Sequence, residues 1–181
     1  MNLIQKAILT TIKAHEGQVR KGDNKTPYVL HPLEAGIIIS NYTSSESLIA
    51  TAILHDVIEE SNITYEDIKK EFSEEIADSV KLLTQDKSIE NWEERKAENL
   101  ARLSSNMTIY IIKTIDALVN MKDLFYAIQT QGESVWERFN ASKEEIIIHQ
   151  LKVISAITTK WEDNPLYRDL VFLADKLRTL G

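Results

Sequence analysis

Only five glycines and three prolines punctuate the 181 residues of this chain. Tight turns draw on those residues for their special backbone angles, so a sandwich or barrel with many turns is disfavoured. A set of helices joined by short loops fits instead. Hydrophobic residues make up 43% and charged residues 27%, the proportions of a chain that buries a core. The length fits one domain. The expectation is a single all-α domain over residues 1–181, with a motif-bearing part over about 1–125 and C-terminal helices over about 142–181.

The apolar spacing supports this. Ile4, Ile8, Ile12, His15 and Val19 recur at three or four residues and predict one face of a first helix that stops near Gly22. Pro32 suits the first residue of a second helix, with His31 at its N-cap. Ser44 to Ser47 offer caps for a third helix that buries Ile49, Ala52, Ile53 and Val57 and carries His55 and Asp56. Thr64 and Ser73 open two more helices, the second burying Ile76, Val80 and Leu83. A long helix over 108–128 turns Ile112, Ile115, Leu118 and Val119 inward. Ser142 with Glu145 makes a capping box for a helix to about Thr159, which outweighs the strand propensity of Ile146, Ile147 and Ile148. Pro165 opens a last helix with Leu166, Leu170, Leu173, Ala174 and Leu177 on its apolar side.

Several functions are disfavoured at once. There is no cysteine, hence no disulfide scaffold, thiolate zinc site or Cys nucleophile. No apolar run approaches the roughly 18 residues of a membrane span, and the first residues show helical spacing rather than a leader's apolar block. A cytoplasmic location is expected, with no membrane partner. The formal charge is −7, and residues 56–98 alone carry a net −8. An acidic chain without a basic stripe is a poor nucleic-acid binder. One stretch runs the other way: Lys13, Arg20, Lys21 and Lys25 face only Glu16 and Asp23, a composition able to hold a small anion.

Chemistry concentrates around His55-Asp56, with Glu59 and Glu60 one helical turn further on. Imidazole plus carboxylate without thiolate suits Mn²⁺, Fe²⁺ or Zn²⁺. A carboxylate one turn away can orient or deprotonate a water beside such an ion. Asp116 stands in an otherwise apolar stretch, and a carboxylate on a buried face needs a partner.

Three blocks carry a resemblance. They are Ala14-His15-Glu16-Gly17-Gln18-Val19-Arg20-Lys21-Gly22 followed by Pro27-Tyr28-Val29-Leu30-His31-Pro32; Ala50 to Ser61 around His55-Asp56; and Lys113-Thr114-Ile115-Asp116-Ala117-Leu118-Val119-Asn120-Met121. In this order the chain resembles the HD-domain alarmone hydrolases. These include the hydrolase halves of RelA/SpoT proteins and the small stand-alone enzymes of the metazoan SpoT homologue type, which the chain matches in length.

The resemblance implies a helical HD-superfamily fold. It implies a metal, usually Mn²⁺, held by His31, His55, Asp56 and Asp116. The implied reaction removes pyrophosphate from the ribose 3′ position of guanosine tetra- or pentaphosphate (ppGpp or pppGpp). Glu59 matches the Glu that helps activate water, with Glu60 beside it. Arg20 and Lys21 match the nucleotide and phosphate region, Asn120 the nucleoside contact, and His15 the first-helix histidine at the phosphate end. The chain departs from the family at Glu60, where Asp is usual, at Ala117, where Arg is usual, and at Val119, where His or Tyr is usual. The segment around Asp175 mimics the third block but has no Asn four residues on, so Asp116 is preferred. Two other readings stay open: the same chemistry on another nucleotide, and a non-catalytic metal-containing module that senses one. The partner in each case is a small nucleotide, and a homo-oligomer is compatible with the sequence.

Overall fold

The computed structural model describes residues 1–103, 106–161 and 163–180, which are α-helical with short connections and contain no strand. The all-α expectation holds. The chain packs as two compact units, Met1–Gln18 with Pro27–Lys113, and Val19–Thr26 with Thr114–Gly181.

The first unit holds α1 (Leu3–Ala14), α2 (Leu30–Ser40), α3 (Glu46–Leu54), α4 (Val57–Glu60), α5 (Tyr65–Glu71), α6 (Glu74–Leu83), α7 (Trp92–Leu103) and the start of α8 (Met107–Gln131). Short polar side chains fix the starts. Asn2, Ser45, Thr64 and Ser73 each accept a hydrogen bond from the backbone two or three residues inside their helix. Such a cap contributes typically about 1 kcal/mol. α3 is apolar on most sides and lies centrally, packed on α1, α2 and α6. Its Ala50, Ile53 and Leu54 meet Ala7 of α1, Val57 of α4, Ile68 of α5 and Ile76, Ala77 and Val80 of α6 in one buried cluster.

Two details differ from the periodicity. α1 ends at Ala14 rather than near Gly22, because Gly17 takes φ +75°, a left-handed angle that glycine adopts without strain. Its buried stripe is Ala7, Thr11 and His15, flanked by half-buried Ile4 and Ile8, while Ile12 and Val19 are exposed. Thr11 is inward because its hydroxyl donates to the Ile53 carbonyl at 2.8 Å. A satisfied hydroxyl can sit in a core position that a purely apolar pattern assigns elsewhere. α2 begins at Leu30, so His31 lies inside the first turn rather than at the N-cap.

The second unit contains the rest of α8, a 3-10 turn (Gly132–Arg138), α9 (Lys143–Lys160) and α10 (Tyr167–Leu180). Ser142 and Glu145 form the expected capping box, and Ile146 and Ile147 are buried helical residues. Leu166, Leu170, Leu173 and Ala174 are buried as expected, and the side chain of Leu177 lies outside the described residues. Ala117 and Val119 are buried core positions of α8. No described helix is long and apolar enough to cross a membrane.

Gly36 of α2 lies directly against Ile53 of α3. A Cβ built there would stand 2.4 Å from Ile53 Cγ1. Gly36→Ala is expected to cost roughly 1–3 kcal/mol by overpacking, read as a lower denaturation midpoint. The loss should shrink in an Ile53→Ala background; equal losses in both would show the contact is not the cause.

Candidate active site

His55 and Asp56 do not ride on α3 as expected. They form the two-residue break between α3 and α4, still with right-handed backbone angles. The break lets both side chains turn toward His31 from the first turn of α2. His31 Nε2 and His55 Nε2 are 3.2 Å apart. Asp56 reaches them with Oδ2 at 3.5 Å from His31 Nε2 and Oδ1 at 3.3 Å from His55 Nε2. The two imidazoles are 2% and 3% exposed.

One hydrogen bond sets the chemistry of this trio. His55 Nδ1 lies 2.7 Å from the Ala52 carbonyl oxygen. A carbonyl only accepts, so Nδ1 carries the proton and a neutral His55 presents its Nε2 lone pair to His31 and Asp56. A backbone carbonyl on the far nitrogen is the usual outer partner of a metal-binding histidine. Two imidazole nitrogens and a carboxylate this close together are the donor types that hold a cation. The donor set therefore fits a divalent ion with nitrogen and oxygen preference.

Tyr28 supports the trio, a role that sequence reading did not assign. Its hydroxyl donates to Asp56 Oδ2 at 2.7 Å. Its ring centroid lies 4.8 Å from that of His15 and 6.0 Å from that of His31. The available signal was its place three residues before His31. His15 is buried beside it, with Nδ1 2.8 Å from Gln18 Oε1, while the Gln18 amide donates to the Glu60 carbonyl at 2.7 Å. This assigns the proton to His15 Nδ1 and leaves Nε2 as a buried acceptor with no hydrogen-bond partner among the described residues.

Glu59 and Glu60 lie at the end of α4 in different surroundings. The Glu59 carboxylate accepts from the Gln85 main-chain N–H at 3.0 Å on one oxygen and from the Gln85 side-chain amide at 2.8 Å on the other. Burial raises the Glu59 pKa, with Asp56 and Glu60 adding to the rise and the Gln85 N–H and Lys96 opposing it. Glu60 is exposed, 3.5 Å from Lys87 Nζ, and Lys87 also donates to the Glu59 carbonyl.

The second unit joins three other expected residues. Arg20 donates to Asn120 Oδ1 at 2.7 Å and pairs with Asp123 at 2.7 Å, and Asn120 in turn donates to Asp116 Oδ1. Asp123 was not foreseen. The loop bearing Arg20 is shaped by Asp23, whose carboxylate accepts from the Lys25 and Thr26 main chain at 3.0 and 2.9 Å and from the Thr26 hydroxyl. The Thr26 hydroxyl, foremost, lowers the Asp23 pKa to about 2. Lys21 is exposed on this loop. Asp175, the rival to Asp116, is exposed and paired with Arg178 at 2.7 Å.

The HD domain family pattern matches residues 7–147. The chain is 30% identical over 124 residues to the guanosine-3′,5′-bis(diphosphate) 3′-pyrophosphohydrolase MESH1 of Xenopus tropicalis, covering 67% of this chain and 69% of that protein. With the Drosophila melanogaster protein of the same name the identity is 33% over 112 residues, covering 61% and 63%. A GTP pyrophosphokinase of Myxococcus xanthus is 31% identical over 133 residues, and the match spans 68% of this chain but 17% of that one. The chain thus covers less than two thirds of the Drosophila relative and a small part of the bacterial one. Among solved structures, a metazoan orthologue of SpoT that hydrolyses ppGpp matches with a TM-score of 0.77 at 23% identity, covering 100% of this chain and 97% of that one. A Listeria monocytogenes protein matches with a TM-score of 0.73 at 24% identity, covering 82% and 99%. At these identities the structural likeness shows a shared fold.

The Tyr28 hydroxyl gives a test of the metal reading. Removing an outer-sphere partner typically weakens metal binding about 10–100-fold. Tyr28→Phe is expected to do so in a calorimetric Mn²⁺ titration while the helical circular dichroism stays unchanged. Unaltered affinity would show that this hydrogen bond does not orient a ligand.

Proposed function

The chain belongs to the HD domain family, and on that premise we propose that it is a metal-dependent phosphohydrolase removing the 3′-pyrophosphate from guanosine tetra- or pentaphosphate. The observation that carries the reading is the convergence of His31 Nε2, His55 Nε2 and Asp56 within 3.5 Å, with the His55 tautomer fixed by Ala52. The Xenopus and Drosophila relatives, named for this activity, supply the substrate class.

In this reading His31, His55, Asp56 and Asp116 hold the ion, and Mn²⁺ is its identity, in keeping with imidazole and carboxylate donors. Asp116 is assigned from its place in the third sequence block, one helical turn before Asn120. The two packing units act as one hydrolase domain, and the family match runs through the sequence of both. A bound divalent ion supplies a lowered pKa for a water and polarisation of a phosphoryl oxygen.

The remaining chemistry belongs to side chains. Water attacks the phosphorus of the 3′-pyrophosphate, the bond to the ribose 3′ oxygen breaks, and that oxygen leaves as a hydroxyl by taking a proton from solvent. Glu59 takes the proton of the attacking water. Its raised pKa, set by burial, makes it a stronger base than an ordinary carboxylate. Glu60 sits beside it and shares Lys87. Arg20 and Lys21 offset the substrate's phosphates, Arg20 through a fork-shaped contact and Lys21 as a point charge. A phosphate on Arg20 takes the place of the Asp123 carboxylate. Asn120 contacts the nucleoside, and His15 lies at the phosphate end.

The experiment is pyrophosphate release from guanosine tetraphosphate with added Mn²⁺. Wild type is expected to release it, and Asp56→Asn to abolish turnover with the fold kept; activity retained by the variant would contradict the assignment. Arg20→Ala should raise KM with a smaller effect on kcat, and an unchanged KM would remove that role. Glu59→Gln should lose about 10²–10⁴-fold in kcat, the usual share of a general base. A base works unprotonated, so the wild-type rate should fall as pH drops through a value above the ordinary Glu pKa of 4.5. An acid limb that persists unchanged in Glu59→Gln would assign the titration to another group.

A further inference from the structure

We propose that Gln85 is a positioning residue for this hydrolysis: its two-point grip fixes the plane of the Glu59 carboxylate and so sets the rate of the chemical step. The inference rests on the hydrolase reading above and adds to it a residue outside the three sequence blocks.

The grip is made of two donors on two different oxygens. The Gln85 main-chain N–H reaches Oε2 at 3.0 Å and its side-chain amide reaches Oε1 at 2.8 Å. A single donor leaves a carboxylate able to swing about the contact. Two donors on separate oxygens define its plane, as a fork contact does. Each oxygen keeps a second lone pair, so a water can still be bound and deprotonated.

The grip is useful because Glu59 stands on weak ground. α4 is only four residues long and follows the break at His55-Asp56. A base must be held close to its productive geometry, and small displacements are expensive in rate. Gln85, in contrast, sits on a segment anchored by α6 and α7. The Leu83 carbonyl accepts from buried Asn99 at 3.2 Å, and the Thr84 carbonyl accepts from Arg102 at 2.8 Å. The Thr84 hydroxyl closes back onto the Val80 carbonyl at 2.9 Å. Beyond Gln85, Asp86 accepts from the Ser88 main chain at 2.9 Å and from its hydroxyl at 2.6 Å. Lys87 adds a contact to the Glu59 carbonyl itself. The anchor is therefore held by its own partners, and Glu59 is fastened to it.

The charged groups acting on Glu59 are Asp56, Glu60 and Lys96, with Lys87 on its carbonyl. The amide donors of Gln85 favour the ionised carboxylate against burial and against the two neighbouring acids.

The test is Gln85→Met, which keeps length and removes the side-chain donor. In pyrophosphate release from guanosine tetraphosphate with Mn²⁺, kcat is expected to fall about 10–100-fold, the range for loss of a supporting hydrogen bond. KM should stay within about twofold, since no substrate contact is lost. The acid limb of kcat should move to higher pH. In a Glu59→Gln background the same change should cost nothing further, because residues acting as a unit are not additive. Gln85→Glu, of equal size, sets acceptor against acceptor and should lose at least as much, which keeps the assignment testable if the Met variant folds poorly. Unchanged kcat in both variants, a loss confined to KM, or an equal loss with and without Glu59 would overturn the role of Gln85 while leaving the hydrolase reading standing. A wild-type protein that releases no pyrophosphate would overturn the hydrolase reading, and this inference with it.

Discussion

The hydrogen bond between His55 Nδ1 and the Ala52 carbonyl is a local contact across three residues, at 2.7 Å, yet the site depends on it. It exists because the chain keeps helical angles through the end of α3 while breaking the helix just after. The ring is thereby placed, its tautomer chosen and its Nε2 lone pair aimed at His31 and Asp56. Without it neither tautomer of the imidazole is favoured by this neighbour. The buried apolar body of α3 serves the same end. Ala50, Ile53 and Leu54 lock the helix among α1, α2 and α6, so the break at its end falls in a fixed place.

A second principle is the contrast between the two acids of α4. Glu59 and Glu60 are neighbours in sequence and nearly identical in chemistry. A two-point amide contact fixes the first carboxylate in place and burial raises its pKa against that contact, whereas the second is exposed beside Lys87. Environment, not residue type, separates them. In the second unit the same economy appears around Arg20. Asn120 uses its oxygen to accept from Arg20 and its amide to donate to Asp116, so one side chain orients a cation and an anion together.

Much of the fold was legible because its signals are local. Ser45, Thr64, Ser73 and Ser142 cap the helices that their positions suggested, since a capping oxygen needs only a backbone N–H two or three residues away. The long helix with Ile112, Ile115, Leu118 and Val119 inward was legible for the same reason. The face of α1 was not. Apolar residues occupy both sides of that helix, and Thr11 wins a core place through a hydroxyl contact with a residue 42 positions away. The break at His55-Asp56 was also hidden, because no Gly or Pro marks it. His31, His55 and Asp56 drew attention by residue type and by resemblance, and Tyr28 stood unassigned beside them. Gln85 gave no signal, since its contact with Glu59 spans 26 residues and an exposed-looking loop.

The central claim is that His31 and His55 of the first unit bind a catalytic divalent ion. The most direct test is to load the metal-stripped chain with one equivalent of Mn²⁺ and record the nitrogen couplings of its electron-spin-echo spectrum. The account predicts couplings from two imidazoles, reduced to one in His31→Gln and in His55→Gln. A bound Mn²⁺ with no imidazole coupling, or with couplings that survive both substitutions, would contradict it.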